Sequence, residues 1–428
     1  MTNPLRIGIA GLGTVGAGVV RILQTHGDLI ASRCGRPVEI VAVSARLRNR
    51  DRGVPIDGYA WEDDPVALAR RPDVDVFVEL MGGSEGPAKD ATEAAIDAGK
   101  DIVTANKALL ALQGHDLALA AEARGRLIRF EAAVAGGIPV IKVLTEGLAG
   151  NEITRVMGVM NGTCNYILTR MESAGLPYET VFEEARALGY LEADPNLDVG
   201  GIDAGHKLSL LAAIAFGTRV DFAGVDLEGI GAITIEDIRQ AADMGYRIKL
   251  LGVAQMTGRG LEQRMSPCLV PAGSPLGQLQ GGTNMVVLEG DSVGQIVLRG
   301  AGAGSGPTAS AVMADLIDIA RGSRLATFGQ PARTLRTARP ARAAVAAPYY
   351  LRMELIDKPG ALAKVARVLG DSGISIDRMR QYGHEDATAP VLIVTHRTTR
   401  TALDEALAGF ADTGVVAAPP VTIRIEAV

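Results

Sequence analysis

The sequence predicts an α/β chain in three parts: a doubly wound parallel sheet, an α+β middle domain and a C-terminal βαββαβ unit. Three observations predict it. Apolar strand-like segments alternate with helical patterns through the first third, the alternation changes character near residue 136, and residues 349–428 carry their own strand and helix order.

In the first part, residues 5–10, 38–43, 74–80, 101–104 and 127–134 read as strands, and domain one is placed at 1–135. The middle domain, 136–304, contains a strand-like stretch at 152–159, a helix at 178–188 and an apolar helix over 207–216 preceded by a Gly- and Asp-rich loop. The run Gly302-Ala303-Gly304-Ser305-Gly306-Pro307-Thr308 opens a helix over 305–325 whose apolar face can return to the first domain. Residues 326–348 form a linker in which Arg333, Arg336, Arg339 and Arg342 stand among Ala, Thr and Pro, the composition of an exposed connector. Strands at 349–355, 374–380, 390–395 and 420–425 with helices at 361–369 and 402–410 complete the ferredoxin-like order.

Composition narrows the function. A chain of 428 residues holds two to four domains at roughly 100 to 200 residues each. With 43 Lys and Arg against 49 Asp and Glu, and 4% aromatic residues, it offers neither a basic field nor a stacking surface, so no nucleic acid or membrane partner is expected. Cys34, Cys164 and Cys268 form no CxxC pair, and the start runs directly into apolar Leu5, which together predict a cytoplasmic protein without an export signal. The apolar stretch 208–216 is too short to cross about 30 Å of hydrocarbon.

Gly11, Gly13 and Gly16 stand in GxGxxG spacing between the first strand and a helix, with Thr14 and Val15 inside the fingerprint. Here Gly11 makes the tight turn, Gly13 admits pyrophosphate to the backbone and Gly16 allows close helix packing, so the first domain is a Rossmann dinucleotide-binding domain. Where an NAD-preferring protein offers a carboxylate after the second strand, this chain reads Ser44-Ala45-Arg46. A guanidinium there can pair with a 2′-phosphate, so NADP is favoured, with NAD still possible; the alternative is a solvated surface arginine.

Four carboxylates and a lysine fall within residues 192–207: Glu192, Asp194, Asp198, Asp203 and Lys207. Asp203 and Lys207 share one helical face, and Lys207 is read as opening a buried helix, where anions hold it charged and desolvation lowers its pKa. The plain alternative is an exposed Asp-Lys pair contributing only ~0.3 to 0.5 kcal/mol.

With these segments in hand, the chain resembles the homoserine dehydrogenases. The match rests on Gly11 to Gly16, Thr104-Ala105-Asn106-Lys107, Asn161-Gly162-Thr163-Cys164-Asn165-Tyr166, the loop from Glu192 to Lys207, and Gly302-Ala303-Gly304. The resemblance implies interconversion of L-homoserine and L-aspartate 4-semialdehyde, with Lys207 the proton donor or acceptor and Lys107 where nicotinamide meets substrate. It implies that Glu192, Asp198 and Asp203 form the substrate pocket and that Gly189 and Gly304 approach the cofactor. Glu131 with the backbones of Val134, Gly136 and Ile138 is implied to hold a monovalent cation such as sodium, although the same residues also read as a plain strand-to-loop turn.

Cys164 raises the alternative of an acylating enzyme like aspartate-semialdehyde dehydrogenase, but the neighbouring residues supply no base for a thiolate. His206 points about 100° away from Lys207 around the helix and is expected to pack rather than react. A silent NADP-dependent sensor is the remaining reading, disfavoured by the presence of both lysines. Asp357-Lys358-Pro359-Gly360-Ala361-Leu362, with the βαββαβ order, looks like an ACT domain. That resemblance implies an amino-acid effector, threonine foremost, and a homodimer or homotetramer; a purely oligomerising module is the alternative.

Overall fold

The computed structural model describes residues 3–192, 194–343, 345–381 and 387–427. Six strands, β1 (Leu5–Ala10), β2 (Val38–Ser44), β3 (Ala60–Glu62), β4 (Val76–Glu79), β5 (Asp101–Thr104) and β6 (Ile128–Arg129), pair in parallel in the order β3-β2-β1-β4-β5-β6. This is the doubly wound order, and its reversal between β1 and β4 opens a crevice at the carboxyl ends of those strands. Ile7, Ile9, Val43, Val76 and Val78 are buried on one sheet face and Ala10, Ala42, Phe77 and Ile102 on the other, because helices cover both.

The strand expected over 127–134 is shorter. After β6 the chain enters a 3-10 turn, Glu131–Ala133, because the Glu131 amide donates to the Asp315 carboxylate (2.8 Å) instead of continuing a ladder. The helix Ser305–Ala320 that supplies Asp315 packs along the helix Thr14–Cys34. Gly18 makes the approach close, since a Cβ there would meet the Ser305 carbonyl at 2.6 Å, and the Ser305 hydroxyl donates to the Thr14 carbonyl (2.9 Å).

The middle domain contributes β7 (Ile153–Val159), β8 (Asp226–Leu227), β9 (Tyr246–Thr257), β10 (Gly260–Pro271), β11 (Thr283–Gly290) and β12 (Gly294–Ala301). Their sheet is covered by the helices Gly162–Ala174 and Ile202–Phe216. The latter begins earlier than expected: Lys207 lies in its second turn rather than opening it. Gly201, in the left-handed region at φ 81°, lets the chain turn into Ile202, and Asp203 sits in the first turn, where an acidic side chain favours the helix dipole.

The C-terminal strands are β13 (Tyr349–Ile356), β14 (Ile376–Gln381), β15 (Thr388–Thr395) and β16 (Val421–Ile425), with the helices Ala361–Asp371 and Arg400–Asp412 packed on one face. They do not form a free-standing sheet. Strand β16 pairs in parallel with β10 through Cys268 opposite Arg424 and Leu269 opposite Ile425, giving one sheet ordered β12-β11-β7-β9-β10-β16-β13-β15-β14.

The connector also departs from its composition. Its four arginines are exposed, but Ala332, Leu335 and Ala341, each adjacent to one of them, are buried. Its backbone is pinned: Arg219 donates to the Arg336 carbonyl, Leu261 to that of Arg339, and Ala341 to that of Leu261, each at 2.9 Å. Small alanines bury without long side chains to order, which composition alone does not reveal. Among the described residues, no helix is long and apolar enough to cross a membrane.

Candidate active site

The fingerprint loop closes one end of the crevice. Gly11 takes φ 100°, and a Cβ on it would strike the Leu80 carbonyl; a Cβ on Gly16 would strike the Gly11 carbonyl. Gly13 differs, because a Cβ there would point into open space, leaving its backbone accessible to an approaching anion. The adjoining cleft of about 950 Å³ is lined by Gly11, Gly13, Arg46, Arg50, Met81 and Gly82, among others. Arg46 is exposed and makes no ion pair among the described residues. Gly304, at φ 120°, caps the helix whose next residue bonds Thr14, so it lies beside the fingerprint; Gly189, at φ 74°, ends the helix Tyr178–Ala187 and leads into Tyr190.

At the floor of the crevice, sequence reading missed Glu79. It is fully buried at the end of β4, and its two oxygens accept from the Met81 amide (2.7 Å), the Gly82 amide (3.1 Å) and the Thr104 hydroxyl (2.6 Å). The Thr104 hydroxyl accepts in turn from the Asn106 amide (3.0 Å), and the Asn106 side chain caps the helix Lys107–Ala123 while donating to the Gly83 carbonyl (2.7 Å). One buried carboxyl, pushed up by its burial, thus ties the loop beside the cofactor cleft to the helix end that presents Lys107.

Asp203 lies between two ammonium groups. Its Oδ1 is 2.9 Å from Lys107 Nζ and its Oδ2 accepts from Lys207 Nζ at 2.7 Å, while Lys207 also donates to the Met160 carbonyl (2.9 Å). Burial alone would raise Asp203, but the Lys207 and Lys107 charges outweigh it and hold the carboxyl well below the usual range. Burial likewise pulls Lys107 down, yet Asp203, aided by Glu192 and Asp198, leaves it raised. The Lys107 side chain remains 31% exposed, against 11% for Lys207.

Asp198 performs a different task from its neighbours. Its oxygens accept from Asn161 Nδ2 (2.9 Å) and from the Glu192 amide (3.0 Å), fastening the acidic loop to the start of the helix Gly162–Ala174. Asp194 accepts from the Asn196 amide, and the exposed Glu192 carboxylate forms no ion pair among the described residues. Asn161 was quoted in the sequence only as part of a motif. Its carbonyl oxygen caps the Cys164 amide (2.8 Å) while its amino group reaches Asp198 and Asp203, so one short polar side chain joins helix and loop.

Cys164 is no nucleophile in this arrangement: it is fully buried, donates to the Asp198 carbonyl (3.2 Å), and burial with the nearby carboxylates pushes its thiol well up. His206 packs on Phe222 with ring centroids 4.2 Å apart, and burial lowers it towards neutrality.

Glu131 is buried and accepts from the Ile141 (3.0 Å) and Lys142 (2.8 Å) amides. Burial and Asp315 push it up to about 8, and burial pushes Asp315 up to about 7. Ala135 (φ 54°) and Gly136 (φ 39°) turn the following loop, and the carbonyls of Val134 and Gly136 accept no hydrogen bond among the described residues, whereas that of Ile138 accepts from Val140 (2.7 Å).

Comparison with known proteins fits this geometry. Residues 139–317 match the homoserine dehydrogenase family model, 11–131 the homoserine dehydrogenase NAD-binding domain, and 349–410 the ACT domain. The chain is 43% identical over 432 residues to a homoserine dehydrogenase of Neisseria gonorrhoeae, covering 99% of each, and 38% identical over 429 residues to that of Bacillus subtilis, covering 99% of this chain and 98% of the relative. A homoserine dehydrogenase structure from Thiobacillus denitrificans superposes with TM-score 0.94 at 41% identity, covering 99% of both chains. A hyperthermophilic archaeal homoserine dehydrogenase mutant in complex with NADPH superposes with TM-score 0.63 at 26% identity, covering 74% of this chain and 97% of that one. With matching family models over its catalytic and nucleotide-binding parts, close relatives along its whole length, and a buried cysteine unfit for acyl chemistry, the chain belongs to the homoserine dehydrogenase family of NAD(P)-dependent oxidoreductases and carries a C-terminal ACT domain.

Proposed function

We propose that the Lys107–Asp203–Lys207 cluster carries the proton chemistry that interconverts L-aspartate 4-semialdehyde and L-homoserine. The carrying observation is buried Asp203 bridging two lysines, one of them, Lys107, on the helix whose start Asn106 ties to Glu79 through Thr104. When bound in the cleft beside Gly13, the nicotinamide dinucleotide supplies or accepts the hydride. As negative charge grows on the aldehyde oxygen, a Lys207 ammonium stabilises it and delivers a proton; in the reverse direction the neutral amine removes one. Lys107, more exposed and held charged by Asp203, orients the same oxygen near the nicotinamide. Glu192, an exposed carboxylate without an ion pair among the described residues, receives the substrate ammonium, while Asp198 and Asn161 hold the loop that presents it.

NADP is the preferred form, supported by Arg46, which has no ion pair among the described residues, and by the lack of a carboxylate in Ser44-Ala45-Arg46. Glu131 and the carbonyls of Val134, Gly136 and Ile138 would hold sodium or a similar cation, which neutralises the Glu131 and Asp315 pair and braces the loop against Ala301, whose carbonyl accepts from Gly137 (2.9 Å). The ACT domain takes threonine as feedback effector. The outermost strands β12 and β14 leave open sheet edges that suit pairing into a homodimer or homotetramer, and three unpaired, buried cysteines suit the cytoplasm.

One assay tests the reading: absorbance at the reduced-nicotinamide band with aspartate semialdehyde and NADPH or NADH. Turnover without phosphate, faster with NADPH, is expected; a strict phosphate requirement or no turnover with either coenzyme overturns it.

A further inference from the structure

Lys249 is a buried lysine with no part in the proton chemistry. It lies in β9, only 3% exposed, and its amine donates to the side-chain carbonyl of Asn165 (2.9 Å) and to the backbone carbonyl of Leu279, with no ion pair among the described residues. The charged groups that face it, Glu172 and Arg247, pair with each other at 2.6 Å. Burial pulls Lys249 down to about 8. A charge buried without a counter-ion is unfavourable, and an apolar side chain of similar length would fill the same space without that cost. What an apolar side chain cannot supply is N–H donors for two carbonyls. The neutral amine still carries two of them, so both protonation states can keep both contacts.

Those two carbonyls belong to separate segments that meet beside the acidic loop. Asn165 lies near the start of the helix Gly162–Ala174, four residues after Asn161, whose side chain reaches Asp198 and Asp203. Leu279 lies between β10 and β11, where the Asn165 amino group also donates to the Gly281 carbonyl (2.6 Å). The segments touch directly: a Cβ on Gly162 would strike the Gly282 carbonyl at 2.5 Å, and one on Gly282 would lie 3.8 Å from the Tyr190 ring. Tyr190 stacks on Tyr166 with centroids 4.7 Å apart, its carbonyl accepts from the Thr163 hydroxyl (2.9 Å), and Glu192 follows two residues later. We propose that Lys249 is a positioning residue for the homoserine or aldehyde substrate: by fixing the Asn165 amide it clamps the helix start to residues 279–282 and so sets where Asn161, Tyr190 and the acidic loop stand. The proposal rests on the reading that the acidic loop binds substrate. None of the clamp residues lines the cleft beside Gly13 and Arg46, so the effect falls on the substrate and spares the dinucleotide.

Steady-state kinetics of the full chain test this with Lys249→Met, Asn165→Ala and the double variant. Each single change should raise KM for homoserine about tenfold, while KM for NADP stays within about twofold and kcat within about threefold of the parent's. Because the lysine acts through the asparagine, the double variant should also show a rise of about tenfold instead of about a hundredfold. Lys249→Gln, which keeps a donor for one carbonyl, should show a smaller rise, and it carries the same test where Lys249→Met does not fold. Equal changes in both KM values, a rise of about a hundredfold in the double variant, or an unchanged homoserine KM overturns the positioning role. Glu192→Gln separates that failure from failure of the loop reading. A homoserine KM raised there but not in Lys249→Met removes Lys249 and leaves the loop as the substrate site; a homoserine KM unchanged in both overturns the two together.

Discussion

Two buried acidic clusters in this molecule take opposite electrostatic paths. At Asp203 burial is outweighed by two lysines of the same chain, and the carboxyl is held well below its usual range; at Glu131 and Asp315 burial dominates, pushing them up to about 8 and about 7. At the first cluster the lysines outweigh burial, whereas at the second Lys142 and Arg129 do not. Burial therefore does not set the direction of a carboxyl's shift; the company it keeps does. A carboxyl flanked by two ammonium groups is held charged, whereas a buried carboxyl flanked by another is pushed towards its neutral form.

That contrast can be broken most severely at its first member. Lys207→Ala should lower kcat by ~10²- to 10⁴-fold, the usual contribution of a positioned proton donor, with circular dichroism unchanged; a loss under threefold contradicts the assignment. Glu79→Gln keeps the shape of the buried anchor but makes one of its oxygens a donor facing amides and a hydroxyl. It should raise KM for the dinucleotide and lower kcat together, by about tenfold each if an acceptor for charged-type hydrogen bonds of ~1.5–3 kcal/mol is weakened. An effect on stability alone would make Glu79 purely structural. Arg46→Ala should raise KM for NADPH about tenfold and leave that for NADH unchanged, as follows from losing one charge-assisted contact.

The second cluster gives the smallest and most specific effect. Carboxyls whose folded-state pKa is raised bind protons more tightly when folded, so their stabilisation is present below the unfolded value near ~4 and is lost as pH rises through about 7 to 8. A bound cation offsets that loss. Melting temperatures in sodium and in tetramethylammonium buffers should coincide at pH 5 and separate by pH 8.5, with a stabilisation of about 2.7 kcal/mol at a hundred times Kd. Equal curves at pH 8.5 would remove the cation from the account.

Much of the fold was legible because it rests on local periodicity. The β1 strand, the fingerprint glycines and the βαββαβ order all announce themselves within a few residues of sequence. Strand β3, only Ala60–Glu62, is too short to show a period. The union of β16 with β10 depends on two residue pairs far apart in the chain, and nothing local encodes it. The site divided in the same way. Asp203 and Lys207 were visible as helical neighbours, but Lys107 reaches Asp203 only through the tertiary fold, and Glu79 was hidden inside an apolar strand because its partners are backbone amides and a distant threonine.

The most direct test is the pH profile of kcat/KM for homoserine oxidation, measured in the parent and in Asp203→Asn. The parent rate should climb with pH to a plateau as a lysine-like group loses its proton, and Asp203→Asn, which removes the negative charge that contacts both Lys107 and Lys207, should move the whole rise to lower pH. Two superimposable profiles, or a parent rate indifferent to pH, would contradict the lysine chemistry.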